Sequence, residues 1–182
     1  MGESYGGYNK ENKHMTATKW KNNKQTEETL QDVLEYPVMA IPERGITKAA
    51  AEHFNIRTAL SEKDGVTPIA HYFLYTIDGD VVGAKKRDLT IPKLQHGHFS
   101  VIGFQGVKCD MFGQSAANKT GSKKIFITEG EYDCAALWAV MKDKYPSASP
   151  SVVSISSGTA NAVLNIGQKQ NQSFIKNIRS VC

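Results

Sequence analysis

The sequence predicts an α/β fold, an α+β N-terminal lobe followed by the first part of a parallel sheet. Two patterns predict it. From Lys124 onward, short apolar runs alternate with helical stretches, and strands spaced by helices imply right-handed βαβ units on a parallel sheet. Before that point, two β-prone runs flank Asp78-Gly79-Asp80, and an Asp-Gly pair between such runs is a strong short-range hairpin signal because Gly tolerates positive φ. At 182 residues and 40% hydrophobic composition, the chain can bury one ordinary core or two small lobes.

Taken in order, residues 1–28 hold Gly, Asn, Tyr and the lysines Lys10, Lys13, Lys19, Lys21 and Lys24 with little apolar periodicity, which predicts a flexible basic arm. A short helix is expected over 29–34. Residues 42–54 read as a helix entry: Ile46, Ala49, Ala50 and Phe54 recur at helical spacing, with Thr47 as N-cap. The hairpin strands are placed over 70–77 and 81–86. Alternation along a strand puts Lys85 and Arg87 on one face and Lys86 on the other. Residues 93–106, rich in His, Gly and aromatics, are read as an ordered loop. His96 and His98 stand two apart there without a third metal ligand nearby. Asp110-Met111-Phe112-Gly113 forms a turn. The alternating region then gives a strand over 125–128, a helix over 133–142, a strand over 152–156, a helix over 159–168 and a further segment over 174–178. Small residues Ser156-Ser157-Gly158-Thr159 precede the second helix, which fits either a phosphate at its N-terminus or an ordinary capped start.

Composition excludes several classes of function. No apolar run is long enough to cross a bilayer and the Lys-rich start lacks the apolar segment of a signal peptide, so the expectation is a cytoplasmic protein with no membrane partner. Cys109, Cys134 and Cys182 are odd in number and widely spaced, which argues against a disulfide framework or a Cys₄ zinc site. The formal net charge of +4 suits nucleotide or nucleic-acid partners without requiring them.

The chemistry concentrates at Thr128-Glu129-Gly130-Glu131-Tyr132-Asp133. A carboxylate at the C-terminal end of a parallel strand points into the crevice where open α/β sheets place their chemistry, and Gly130 lets the chain turn behind it. Carboxylate oxygens there suit Mg²⁺. Asp133 falls one helical turn from Glu129. Glu131 lies between them and is either an electrostatic support or a first-turn acid favoured by the helix dipole. An isolated Glu-Gly pair can simply end a strand; the company it keeps gives it weight.

These residues resemble the first Toprim motif of bacterial-type primases and topoisomerases, and the chain as a whole resembles the primase part of T7-type phage primase-helicases. The resemblance runs in order through Arg44-Gly45-Ile46-Thr47-Lys48, Asp78 to Asp88, Met111-Phe112-Gly113 and Val152 to Gly158. It implies a primase N-terminal subdomain over 29–118 and a partial Toprim domain over 119–182. It also implies that the intact protein synthesises short RNA primers from ribonucleoside triphosphates on a single-stranded DNA template. Glu129 would be the catalytic residue, as general base or metal ligand; Glu129 and Asp133 would hold Mg²⁺. Lys85 and Arg87 would contact nucleotide, as would Lys93, which stands at a different spacing from the family's pattern.

Two departures matter. The N-terminal region has no C-x-x-C pairs, so no zinc is expected and template selection by a zinc module is in doubt. The chain also stops before the family's Asp-x-Asp motif and contains no P-loop. A helicase domain or complementary fragment is therefore the expected partner, and this chain alone is expected to be inactive and marginally stable. The alternative is a catalytically inactive primase-like module, serving a replicative helicase as a single-stranded-DNA-binding or coupling platform. A Toprim nuclease or topoisomerase fits the flanking matches less well.

Overall fold

In a computed structural model, which describes residues 28–93, 95–156, 159–177 and 180–181, the expected hairpin is the centre of a four-stranded antiparallel sheet ordered β1-β2-β3-β4. The strands are β1 (Arg57–Leu60), β2 (Pro68–Ile77), β3 (Asp80–Asp88) and β4 (Phe99–Gly103). Asp78 and Gly79 close the β2–β3 turn with φ of 52° and 88°, as a two-residue hairpin loop of the twist-matching kind requires. Asp110 holds that turn from outside. Its carboxylate accepts hydrogen bonds from Thr76 Oγ1 at 2.7 Å, from the Gly79 amide at 3.0 Å and from the Asp78 amide at 3.2 Å.

One face of this sheet packs on α1 (Leu30–Glu35), where Val33 meets Ala59, Ala70, Tyr72, Leu74 and Ala84. Thr29 and Asp32 form a capping box that starts the helix. Of the expected basic arm, residues 1–27 lie outside the described residues. Glu28 takes hydrogen bonds from Tyr36 and Tyr72 and an ion pair from Lys86 at 2.9 Å. Burial alone would raise its carboxyl; these donors hold it below the ordinary range.

The second sheet is three-stranded and parallel, ordered β6-β5-β7, with β5 (Lys124–Thr128) between β6 (Ser151–Ser154) and β7 (Ser180–Val181). The crossover from β5 to β6 is α4 (Glu131–Lys144), which carries Glu131 and Asp133 in its first turn and Lys142 and Lys144 in its last, the arrangement the helix dipole favours. Phe112 pairs in antiparallel fashion with Ser154 and so attaches the Met111-Phe112-Gly113 turn to the β6 edge. One hydrophobic cluster spans both sheets. It joins Ile41, Ile46, Ala50, Ala51 and Phe54 around α2 (Lys48–His53), Phe73 of β2, Phe112, Cys134 and Trp138 of α4, and Val152.

Two expectations are corrected. The loop read over 93–106 contains β4, which pairs with β3 from Arg87↔Phe99 to Gly83↔Gly103. The helix read over 159–168 is a 3₁₀ turn, Thr159–Asn161, followed by α5 (Ala162–Ile166), and the segment at 174–178 begins inside a separate helix, α6 (Lys169–Lys176). The break has a cause. Asn165 and Asn171 both donate to the Cys109 carbonyl, at 2.9 and 3.2 Å, and side chains six apart on one continuous helix would point about 120° away from each other. β1 is an addition, a strand over residues for which the sequence patterns gave no expectation. The short α3 (Gln114–Asn118), between β4 and β5 in the chain, packs on β6.

Candidate active site

Glu129 is exposed just past the C-terminal end of β5, the central strand of the parallel sheet. Asp133 is exposed on the first turn of α4, and a Cβ placed on Gly130 would lie 3.3 Å from its Oδ2, so this carboxylate folds back over the turn that carries Glu129. Two solvent-facing carboxylates about a glycine turn are hard oxygen donors and fit part of a Mg²⁺ site. Among the described residues, no cluster of three or more His, Cys, Asp or Glu side chains forms.

Glu131 behaves differently from both. It is 5% exposed and turns toward the antiparallel sheet, where its carboxylate takes the Lys85 ammonium at 3.0 Å and the Tyr75 hydroxyl at 2.8 Å. Gln105 donates to the Tyr75 hydroxyl at 3.0 Å and to the Ser156 carbonyl at 3.1 Å, which carries the network across to the end of β6. Burial first, and then the neighbouring Glu131 charge, push the Tyr75 phenol far above its usual range, so it remains a proton donor throughout. The sequence offered Glu131 two roles; the structure adds a third, the buried anchor of Lys85.

The start of α4 is fixed to the sheet by Tyr132. Its hydroxyl lies 2.7 Å from His71 Nδ1, its ring meets Phe73 edge-on at 4.9 Å, and the Arg44 guanidinium sits 4.8 Å from its centroid. Burial pushes its phenol up to about 12 despite the Arg44 and Arg87 charges. The Arg44-Gly45-Ile46 turn is thereby brought to the same place as the Glu129 turn.

Lys85 and Arg87 do share a face of β3, since both approach the Phe99 ring, while Lys86 on the other face meets Glu28 and the Tyr72 ring. Their environments differ, however. Arg87 is 7% exposed, and its Nη1 donates to the carbonyls of Asp88, of His98 at 3.2 Å and of Ile91 at 3.3 Å, which clamps the β3–β4 connection. Lys93 is exposed in that connection and takes no part in these contacts. Sequence reasoning missed Tyr75, Gln105 and the Arg87 clamp, because each depends on partners that only the fold brings together.

No protein-family model and no curated protein matches the chain. Among solved structures, the chain is similar to the crystal structure of the primase fragment of the bacteriophage T7 primase-helicase, with a TM-score of 0.62, 23% sequence identity and 90% of this chain covered. The likeness is one of fold, and the fold is primase-like. The match takes in 61% of that fragment, so this chain spans about three fifths of it. In the primase-like fold the exposed Glu129 turn, the Lys85 face of the antiparallel sheet and the Arg44 turn lie around one region, the start of α4. Among the described residues, no helix is long and apolar enough to cross a membrane.

Proposed function

We propose that this chain is the N-terminal primase portion of a phage-type replicative primase-helicase, whose intact form joins ribonucleotides into short primers on single-stranded DNA. The observation that carries the reading is Glu129, exposed at the end of the central parallel strand of a primase-like fold and two residues from the anchor of a cationic strand.

Primer synthesis joins a 3′-hydroxyl to the α-phosphate of the next triphosphate, releasing pyrophosphate, and its catalysis is largely positioning and charge neutralisation. Glu129 would accept the hydroxyl proton or join Asp133 in holding Mg²⁺, with phosphate oxygens supplying further ligands. Bound there, Mg²⁺ would stabilise charge developing on the phosphate. Lys85, held by Glu131 against the sheet, would offer its remaining N–H donors to the triphosphate. Lys93 would reach phosphate from the β3–β4 connection, and Arg87 would act by keeping that connection in place. The Toprim assignment, the domain limits at 29–118 and 119–182, and a helicase domain or complementary fragment as partner belong to the same proposal.

The test is primer synthesis by the intact enzyme carrying Glu129→Ala. We expect a loss of at least about 100-fold with the circular dichroism spectrum unchanged, as for removal of a group that acts on the reacting atoms. Normal primer yield would sink the assignment.

The second reading, a primase-like module without catalysis that binds single-stranded DNA for a helicase, is favoured by one observation. The Arg87 guanidinium is committed to backbone carbonyls rather than open to a phosphate. It predicts salt-dependent oligonucleotide binding, indifferent to Glu129→Ala and without nucleotide incorporation.

A further inference from the structure

The sheet face opposite α1 is unevenly covered. On β2, His71 and Phe73 pack against Tyr132, and Tyr75 is bonded to Glu131. On β4, Phe99 is 46% exposed and Val101 44% exposed, directly across from Arg87 and Lys85 in the ladder. An edge strand that shows an aromatic ring and a β-branched side chain to water is an aggregation hazard, which makes the pair worth explaining. The ring is also not bare of charge. Lys85 Nζ lies 4.6 Å and the Arg87 guanidinium carbon 5.5 Å from its centroid, and the His98 ring leans on it at 4.6 Å.

A ligand that satisfies this surface needs a flat π face for Phe99 and negative charge for Lys85, the partly exposed cation beside it. A nucleotide has both. Stacking on an aromatic side chain beside a basic strand is how proteins hold bases without reading their edges. The apolar patch is short: Phe99 and Val101 are two positions apart, about 7 Å along a strand, which is room for one base and not for a run of them. Lys85 stands two rungs from Phe99, across from Val101, and Glu131 ties it to the start of α4, beside the Glu129 turn.

We infer that Phe99 is the stacking platform for the base of a bound nucleoside triphosphate, whose phosphates extend toward Lys85 and the Glu129 turn. The inference rests on the nucleotide-binding reading above and adds the residue that would hold the base. Lacking edge-reading hydrogen bonds, the platform accepts purines and pyrimidines, with purines stacking more strongly because their faces are larger.

The experiment titrates ATP, inorganic tripolyphosphate and a single-stranded oligothymidylate into the full chain and follows amide resonances and, in Phe99→Trp, the fluorescence of the new indole. In Phe99→Ala we expect ATP affinity to fall about 5- to 100-fold while tripolyphosphate affinity holds. In Phe99→Trp, ATP binds at least as well as to the parent and quenches the indole; tripolyphosphate does not. Should Phe99→Ala fail to fold, the indole signal alone decides, with no ATP-specific quench overturning the inference. Unchanged ATP affinity in Phe99→Ala, with tripolyphosphate still bound, overturns the platform and leaves the nucleotide reading standing. Failure of both ATP and tripolyphosphate to bind the parent chain removes the reading and the inference together. Loss of oligothymidylate binding alone in Phe99→Ala would give the ring to the template strand and overturn the assignment to a triphosphate.

Discussion

The two glutamates on either side of Gly130 differ in everything except side-chain chemistry. Glu131 is buried, ion-paired and hydrogen-bonded, whereas Glu129 faces solvent. Removing one partner of a buried pair strands the other charge, which costs about 3–5 kcal/mol. Lys85 keeps 24% of its side chain exposed, so Glu131→Ala should cost about 3 kcal/mol, while Glu129→Ala should change stability by less than about 0.5 kcal/mol. Urea midpoints of the two variants measure this, and similar midpoints would mean that the ion pair does not hold the fold. The placing of Glu129 between a strand and a helix was legible in the sequence because both elements are local signals. The role of Glu131 was not, because Lys85 is 46 residues away. His71 gives a second residue-scale expectation. Burial, the largest influence, lowers its pKa from 6.5. The neutral ring is therefore favoured in the fold, and as pH falls below about 6.5 the unfolded chain takes up the proton first. Stability should be full above that pH and decline below it until the folded-state pKa is passed. His53, lowered chiefly by burial, adds a decline of the same sign. Melting temperatures between about pH 7.5 and about pH 5.5 should fall for the parent chain and fall less for His71→Gln; equal slopes would exclude His71 as a source.

Among the elements, the Met111-Phe112-Gly113 turn shows how a three-residue signal acquires meaning. Its sequence reads as a packing corner, and the structure shows why the third position is glycine. Gly113 has φ of +82°, and a Cβ there would sit 2.7 Å from Phe54 Cε1 and 3.0 Å from the Val152 carbonyl oxygen. Gly121 shares the left-handed backbone, with φ of +63°, but has open space around it. Alanine at 121 should therefore cost about 1 kcal/mol, the backbone strain alone. Alanine at 113 should cost about 3 kcal/mol or more, because the clash is with backbone and a core ring and adds to the strain. Thermal unfolding of the two variants checks the difference, and equal losses would show that the corner can open without penalty. The elements that escaped sequence reading did so for separate reasons. β4 has a exposed burial pattern, with only Ile102 among its five residues partly covered, so the alternation that marks a half-buried strand is faint. The split between α5 and α6 follows from two asparagines sharing the Cys109 carbonyl, a tertiary demand that no helical periodicity announces.

At the scale of the molecule, the two sheets are separate in hydrogen bonding and joined in packing. Phe73 from the antiparallel sheet stacks edge-on with Phe112 at 5.8 Å, Phe112 stacks on Phe54 at 5.4 Å, and Trp138 of α4 lies against His53 at 4.3 Å. Asp110 and the Gln105 network add polar ties in two further places. If the antiparallel sheet unfolded first, it would strip Phe73 from the shared cluster, leave the buried Glu131 without Lys85 and Tyr75, and release the Asp110 carboxylate. Each of these losses would be felt in the parallel sheet. Each half keeps a smaller cluster of its own, Val33 with Tyr72 and Leu74 in one and Ile125 with Val153 and Phe174 in the other, but the largest cluster is shared, so the chain should unfold as one unit. In a Trp20→Phe background, the fluorescence of Trp138 reports on α4 while far-UV circular dichroism reports on both sheets. Coincident transitions in urea are expected; a Trp138 transition at clearly higher urea than the dichroism would mean that the parallel sheet and α4 persist without the antiparallel one.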